Sequence, residues 1–587
     1  MTTYQYSPEI KIQITGFDQE VVFSNLVLEQ AIAKHHHFSF QWQYSDFLAD
    51  TRIQMEVIDY ISKEVSISMG KNKFKGIITE ISIQEHSGSH SFQVSGYSTT
   101  ILLDDAPRST SYYKQNLDQI VKKTCADSGI TNQNNPDNSG EQHYIAQYNE
   151  TDFEFIKRLA IRFGEWFYYD GQKLFFGNTQ NSNITAHNGT DVLRLMFQAN
   201  LQANKFAYSG TDAFKGEKLS ADMASLKSGE GFAKTSIDKS KTLFSRKDSK
   251  RTAHVVNTIN KTQLDLMKEL DAKAATSRSL TVSGQSSVAE LKPGYRFKID
   301  IGGNSPEYII LSVNHYSSHA GNYSNNFTAI PSKAEVPPYT DPHIIRKCEM
   351  QPAIVKDNKD KDKLDRIKVK FAWSDNSPWM RILTPHSGKD KGWHFIPEIG
   401  EDVMVDFEGG DVDKPFVLGS LYTGAGKSGL GDDNNDIKSL KTRSGNTVIL
   451  NDKEGSITIQ DSKGSILVFK GDDTIEFKSK KKILIQSEEI NIKADKNINI
   501  EAGGEMKLKS MKAMSLSTQD GMKQDSMKEF KISTMDKLTT SSMQDTKISA
   551  TTNLSLEGTM KATMKGLQAS VEGTAQATVK AAMVMIN

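Results

Sequence analysis

Apolar and polar residues alternate along the first hundred positions in short runs. They are Lys11-Ile-Gln-Ile-Thr15, Ile53-Gln-Met-Glu-Val57, Val65-Ser-Ile-Ser-Met69, Ile77–Ile83 and Phe92-Gln-Val94. Side chains on a strand point to opposite faces in turn, so each run predicts a strand with one buried face. Two stretches carry a helical period instead. Asn116–Ser128 places Leu117, Ile120 and Val121 on one side before Gly129. In Thr151–Phe163, Thr151 is an N-cap with Glu154 three residues on, and Phe155, Ile156, Leu159 and Ala160 form the stripe. Gly164 ends that helix, and Trp166–Gly177 predicts a hairpin turning at Asp170-Gly171. Strands resume through Val255, Leu280–Val282, Tyr295–Ile301 and Tyr308–Val313.

From Ile483 the pattern becomes an eight-residue repeat. One apolar column holds Ile490, Ile498, Met506, Met514, Met522, Phe530 and Leu538, and returns at Leu554. A second, two residues later, holds Ile492, Ile500, Leu508, Leu516, Ile532, Ile548, Leu556 and Met564. A third holds Met511, Met527, Met535, Met543, Leu567 and Met583. A helix turns about 100° per residue, so an octad would drift about 80° at each repeat and keep no seam. An apolar pair at i, i+2 is one face of a short strand, and a fixed period of such strands signals a β-solenoid. Two or three apolar side chains per octad cannot close a core, so the repeat needs other chains, and three around one axis is the natural closure. Gln524, Thr540, Thr546 and Glu572 interrupt the columns.

At 587 residues the chain exceeds a single core, which stops growing near roughly 250–300 residues. The 72 Lys and Arg balance the 72 Asp and Glu, which removes any global argument for nucleic acid or an anionic membrane. Cys125 and Cys348 form no disulfide framework or metal pattern and suit a reducing cytoplasm. The first residues show no secretory leader, and no run is long and apolar enough for a membrane span. Pro331–Pro342, with Pro337 and Pro338, reads as a linker. The expected organisation is a β-rich region at 1–340, a compact β segment at 345–423, a polar connector at 424–436 and the repeat stem at 437–587. Within that stem, Thr447–Leu450, Ile457–Ile459 and Ile466–Phe469 are strands of irregular spacing.

The segment 345–423 carries more specific blocks. They are Asp365-Arg-Ile-Lys-Val-Lys-Phe-Ala-Trp373, Trp379-Met-Arg-Ile-Leu-Thr-Pro385, Lys391-Gly-Trp-His-Phe-Ile-Pro-Glu-Ile-Gly400 running on to Phe407, and Gly410-Asp-Val-Asp-Lys-Pro415 running on to Tyr422. This succession resembles the small OB-fold domain of valine-glycine repeat protein G (VgrG), the spike of type VI secretion systems, and of related phage tail spikes. Lys441–Leu450 is similar to the way that family's stem begins. The resemblance implies a phage-tail-hub-like region with a few helices, then an OB-fold barrel, then an intertwined trimeric β-helix (β-prism) needle.

It also implies a homotrimer on which Hcp tube rings dock, and which a sheath drives through a target membrane with effectors aboard. Baseplate proteins, chaperones and a PAAR-repeat tip protein complete the expected partners. With strands about 4.8 Å apart and roughly thirteen octads, the stem would reach about 60 Å, beyond a hydrocarbon core of about 30 Å. Met583, Val584, Met585, Ile586 and Asn587 are the expected docking face for the tip protein. Assembly is expected in the cytoplasm, followed by secretion or translocation into the target cell without a signal peptide. The alternative is the hub-spike of a phage or extracellular contractile particle. A glycan-cleaving spike and a surface adhesin with a solenoid stalk are rivals of other classes.

Candidate chemistry changes this picture little. Gly424-Ala-Gly-Lys-Ser-Gly lacks the leading glycine of a P-loop, where Leu421 stands, so a flexible linker is expected. His35-His-His37 reads as a turn or exposed strand edge, and His315 with His319 as a loop. Lys356–Arg366 alternates in sign and reads as a solvated hairpin loop, with a docking site as the sharper reading. Glu488-Glu489 lies in the solenoid. No cofactor, metal site, nucleic-acid partner or enzymatic activity is expected, since neither the connector nor the residues after the octads leave room for a catalytic domain.

Overall fold

A computed structural model of the chain describes residues 8–43, 56–86, 89–203, 207–212, 215–222, 231–244, 250–252 and 260–586. It forms two units, Met1–Lys480 and Lys481–Asn587.

The first unit is mostly β. A twelve-stranded sheet runs Ile10–Ile14, Glu64–Met69, Asn72–His86, Ser89–Ser98, His37–Trp42, Phe23–Ala31, Glu307–His319, Asn322–Pro331, Leu280–Ser286 and Val192–Ala199, with Arg296–Asp300 and Thr185–His187 branching from Glu307–His319. The N-terminal strand Phe23–Ala31 thus pairs with Glu307–His319 far along the chain, Ala31 opposite Ser312 and Leu26 opposite Ser317. Inward residues alternate as expected: Ile10, Ile12 and Ile14 are buried, as are Val65, Ile67 and Met69. The expected strand at Ile53–Val57 differs. Its first residues lie outside the described ones, and 56–58 form a helical turn. Val255 also lies outside them.

Helix α1 (Leu117–Asp127) and helix α2 (Asp152–Phe163) both open on capping boxes, Asn116 with Gln119 and Thr151 with Glu154. Each box satisfies two backbone donors that a helix start leaves orphaned. Gly164 closes α2 at φ 73°, where a Cβ would lie 2.6 Å from Leu270. The hairpin follows as strands Trp166–Tyr169 and Leu174–Gly177, turning through Asp170. The buried faces of α1 and α2 join the first strands in one core with Phe38, Phe40, Trp42, Phe155 and Phe176. Two further helices, α3 (Gly231–Leu243) and α4 (Lys261–Ser277), precede the last hub strands.

Residues 331–342 form a packed strap and not a loose linker. Val336 and Thr340 are buried, and the Tyr339 hydroxyl donates to the Glu165 carbonyl (2.8 Å) and accepts from the Phe167 N–H (2.8 Å). Beyond it, a four-stranded sheet orders Lys368–Lys370, Gln351–Asp357, Asp402–Phe407 and Pro415–Ser420 around a small core that includes Ile367, Val369, Phe371, Val403 and Val405. Residues 421–436 contain no helix or strand. The unit ends in an antiparallel meander of five strands, Ile437–Lys441, Thr447–Asn451, Ser456–Gln460, Ile466–Phe469 and Ile475–Lys478.

In the second unit every residue from 481 to 586 is exposed, and none lies in a helix or strand.

Candidate functional site

The meander exposes its chemistry by register. Lys438, Leu450, Ile457, Phe469 and Ile475 stand opposite one another in one row, and Leu440, Val448, Ile459, Leu467 and Phe477 in a second row two residues away. Opposed residues share a face. Nine of these ten side chains are apolar, and none of them is buried. The other face mixes Ser439, Thr458, Glu476 and Gln460 with Ile449 and Val468.

The stem keeps its octad in the backbone. Bends fall at pairs 495–496, 503–504 and so on every eight residues to 567–568, after which the next comes at 574–575. The residue before several bends is a hydroxyl that closes the corner. Ser510 Oγ donates to the Ala513 carbonyl (3.0 Å), Thr518 to Gly521 (3.3 Å), Ser526 to Glu529 (2.8 Å) and Ser542 to Asp545 (3.2 Å). Gly558 and Gly566 hold the same place further on, and a Cβ at Gly558 would meet the Lys561 carbonyl at 2.9 Å.

The three apolar columns differ in cover. The first spans 49% exposure at Met506 to 60% at Phe530 and Leu538, with Ile490, Ile498, Met514, Met522 and Leu554 between. The second is more open, and the third stands at the bends, where Met527, Met535 and Met543 touch almost nothing of their own chain. Met583, Val584, Met585 and Ile586 are exposed, and Asn587 lies outside the described residues.

A buried ionic clamp joins α2 to the segment after Gly410. Arg162 Nη1 bonds Asp413 Oδ2 at 2.6 Å, and Arg162 Nη2 lies 3.5 Å from Asp411. Arg158 Nη2 bonds Glu150 at 2.6 Å and the Ala146 carbonyl at 2.7 Å, with its Nη1 3.7 Å from Asp413. The Ala146 N–H donates to Asp413 Oδ1 (2.7 Å). Burial, with Asp411 alongside, pushes the Asp413 carboxyl up, while Arg162 and Arg158 oppose that. So the Gly410-Asp-Val-Asp-Lys-Pro415 block is a structural latch. Arg158 and Arg162 went unread in the sequence, although their i, i+4 spacing on α2 was visible.

The histidines are built into the fold. His36 is buried, not exposed: its Nδ1 accepts from Gln30 Nε2 (3.1 Å). His315 lies on the strand Glu307–His319 and not in a loop. Its Nε2 donates to Gln30 Oε1 (3.0 Å), and its Nδ1 accepts from the Tyr323 hydroxyl (2.5 Å). Burial depresses both His36 and His315 to about 3. His35 sits between Thr100 (2.8 Å) and Asp104 (2.9 Å), a nucleophile–base–acid order, yet Thr100 is fully buried and the same Asp104 accepts from Thr151. That arrangement holds the start of α2. Within Lys356–Arg366, Arg366 grips Asp360 in a fork (2.7 and 2.8 Å), so the loop is tied internally, and Asp360 is held at about 2 by that bond. Cys125 and Cys348 are free and buried, and burial raises their thiols to about 12 and about 11. Among the described residues no group of three or more His, Cys, Asp or Glu could hold a metal ion, and no helix is long and apolar enough to cross a membrane.

Residues 46–321 match the family model of the phage tail baseplate hub, and residues 351–422 match that of the type VI secretion system/phage-baseplate injector OB domain. A baseplate-hub region is thus followed along the chain by an injector OB region. The chain is 23% identical over 489 residues to the actin cross-linking toxin VgrG1 of Vibrio cholerae serotype O1, spanning 72% of this chain and 42% of that protein. It is 35% identical over 111 residues to the type VI secretion system spike protein VgrG5 of Pseudomonas aeruginosa, 17% of this chain and 14% of that one. The chain thus spans less than half the length of these curated relatives. The fold is similar to a chain of the Francisella PdpA–VgrG complex in its lidded form, at a TM-score of 0.52 and 9% identity, covering 81% of this chain and 80% of that one. By these matches the chain is similar to the VgrG spike proteins of type VI secretion systems and to phage tail baseplate hubs.

Proposed function

We propose that the protein works mechanically, as a homotrimeric spike at the tip of a type VI secretion tube. One observation carries the trimer: the apolar rows of the meander and the apolar columns of the stem have no cover within one chain. Three copies around an axis would give each of them a partner and pair the strand edges that a single octad leaves open. The hub region then carries the Hcp rings and baseplate contacts, with the injector OB segment below it. The stem is an intertwined β-helix needle, with Ile490, Ile498, Met506 and the rest of that column at its core. Met583–Asn587 receives a PAAR-type tip protein, and effectors with their chaperones ride on the assembly. The solved PdpA–VgrG complex supports the idea that a VgrG-like chain holds a partner protein.

The protein assembles in the cytoplasm, leaves by contraction, crosses the target membrane transiently, and itself catalyses nothing. The test is export in a strain with a complete secretion system. The protein should reach the medium or a neighbouring cell only when the sheath can contract, and purified protein should leave cell wall and actin unchanged. Sheath-independent release, or turnover of either substrate, would contradict this reading. Recovery inside a capsid-bearing particle would favour the phage-like alternative.

A further inference from the structure

A cleft of about 530 Å³ opens between the hub and the segment after the strap. One wall is the strand Gln142–Glu150, which pairs only with Arg108–Gln115 among the described residues. Opposed residues of an antiparallel pair alternate between bonding each other and turning their N–H and C=O groups outward. Ala146, opposite Ser111, turns outward: its N–H goes to Asp413 and its carbonyl accepts from Arg158. Tyr144, two residues earlier and opposite Tyr113, therefore turns outward as well, and it lines the cleft. Across from it, Glu408 bonds Arg381 through Oε1, while its Oε2 is buried with no partner. An open strand edge accepts extended backbone, and a spare carboxylate oxygen accepts a cationic donor.

This chain displays a segment with both properties. Residues 386–395 are exposed throughout and are built on the small hairpin of Ser387–Gly388 with Lys391–Gly392. Lys391 supplies an ammonium, and the rings of Trp393 and Phe395 lie together at 4.7 Å, 43% and 51% exposed. We propose that Lys391–Phe395 of a second copy lies along the Tyr144 edge in this cleft. Its Lys391 reaches Glu408, and its aromatic pair packs on Phe163, Leu270 and Trp379 of the lining. A contact between two different patches repeats head to tail, and around a threefold axis it closes after three steps. The inference rests on the trimer reading and names residues of the first unit that would hold neighbouring copies together.

The test uses the full-length protein assembled from mixed ¹⁴N and ¹⁵N subunits and treated with a zero-length amine–carboxylate cross-linker, with the mass measured in parallel. A trimer should yield isotopically mixed cross-links from Lys391 to Glu408. The Trp393→Ser/Phe395→Ser variant, altered only at exposed positions, should lose those cross-links and remain folded by circular dichroism. A trimer whose Lys391 links only within its own subunit, or elsewhere on its neighbour, would overturn the contact and leave the trimer standing. A monomer would overturn both, and the mass distinguishes the two failures.

Discussion

In the hub, large side chains such as Phe38, Phe40, Phe155 and Phe176 are fully or almost fully buried by their own chain. In the stem, residues of the same apolar character remain exposed, Ile490 at 51% and Phe530 at 60%. One chain therefore covers the apolar faces of the hub and leaves those of the stem open. The hub brings distant strands together, so each apolar face meets another within one molecule. The stem repeats one short unit whose apolar surface is too small to enclose itself. A folded hub is a property of one chain, whereas on the proposed reading an ordered stem is a property of an assembly.

Substitutions can break this contrast. Phe155→Ala should remove about 3–5 kcal/mol from hub stability, because Phe155 is fully buried and stacks on Tyr112, and chemical denaturation of the hub transition would show it. Leu508→Ala should leave that transition in place and weaken association instead. Arg158→Ala should cost the hub about 3–5 kcal/mol as well, since it strands the buried Glu150 without its cation and leaves Asp413 with Arg162 alone.

Acid sharpens the contrast further. His36 and His315 titrate near 6.5 when unfolded and at about 3 when buried, so between those values the unfolded chain binds more protons. Hub stability is complete above pH 6.5 and falls as the pH drops toward 3, and melting temperatures across that range would show the loss. Their replacement, as His315→Gln, should flatten that slope. Smaller effects come from local bonds. Thr151→Ala should cost about 1 kcal/mol by removing the α2 cap, and Ser526→Ala about 1 kcal/mol per chain in the assembled stem.

Local order was legible in the sequence and long-range pairing was not. Helix α1 announced itself through the stripe of Leu117, Ile120 and Val121, and helix α2 through Thr151 and Glu154, because capping and periodicity act within a turn or two. The octad was legible for the same reason, and it reappears as backbone bends at the same spacing. The Gln30–His315 bond spans 285 positions and the Arg162–Asp413 bond 251, and polar residues that far apart carry no pattern that pairs them. That is why the histidines read as exposed or as a loop, and why the Asp411–Asp413 latch went unread. Pro331–Pro342 looked like a linker because proline content reports backbone restriction and says nothing of what packs on it. The strands at Thr447–Leu450, Ile457–Ile459 and Ile466–Phe469 were legible by their irregular spacing, whereas their antiparallel pairing into one sheet was not.

The most direct measurement is the solution mass of the full chain by light scattering, beside a version ending at Tyr422. The account predicts a mass near three times 65.4 kDa for the full chain and weaker association for the shortened one. A monomeric full chain would leave the apolar rows and columns without partners and would contradict the account.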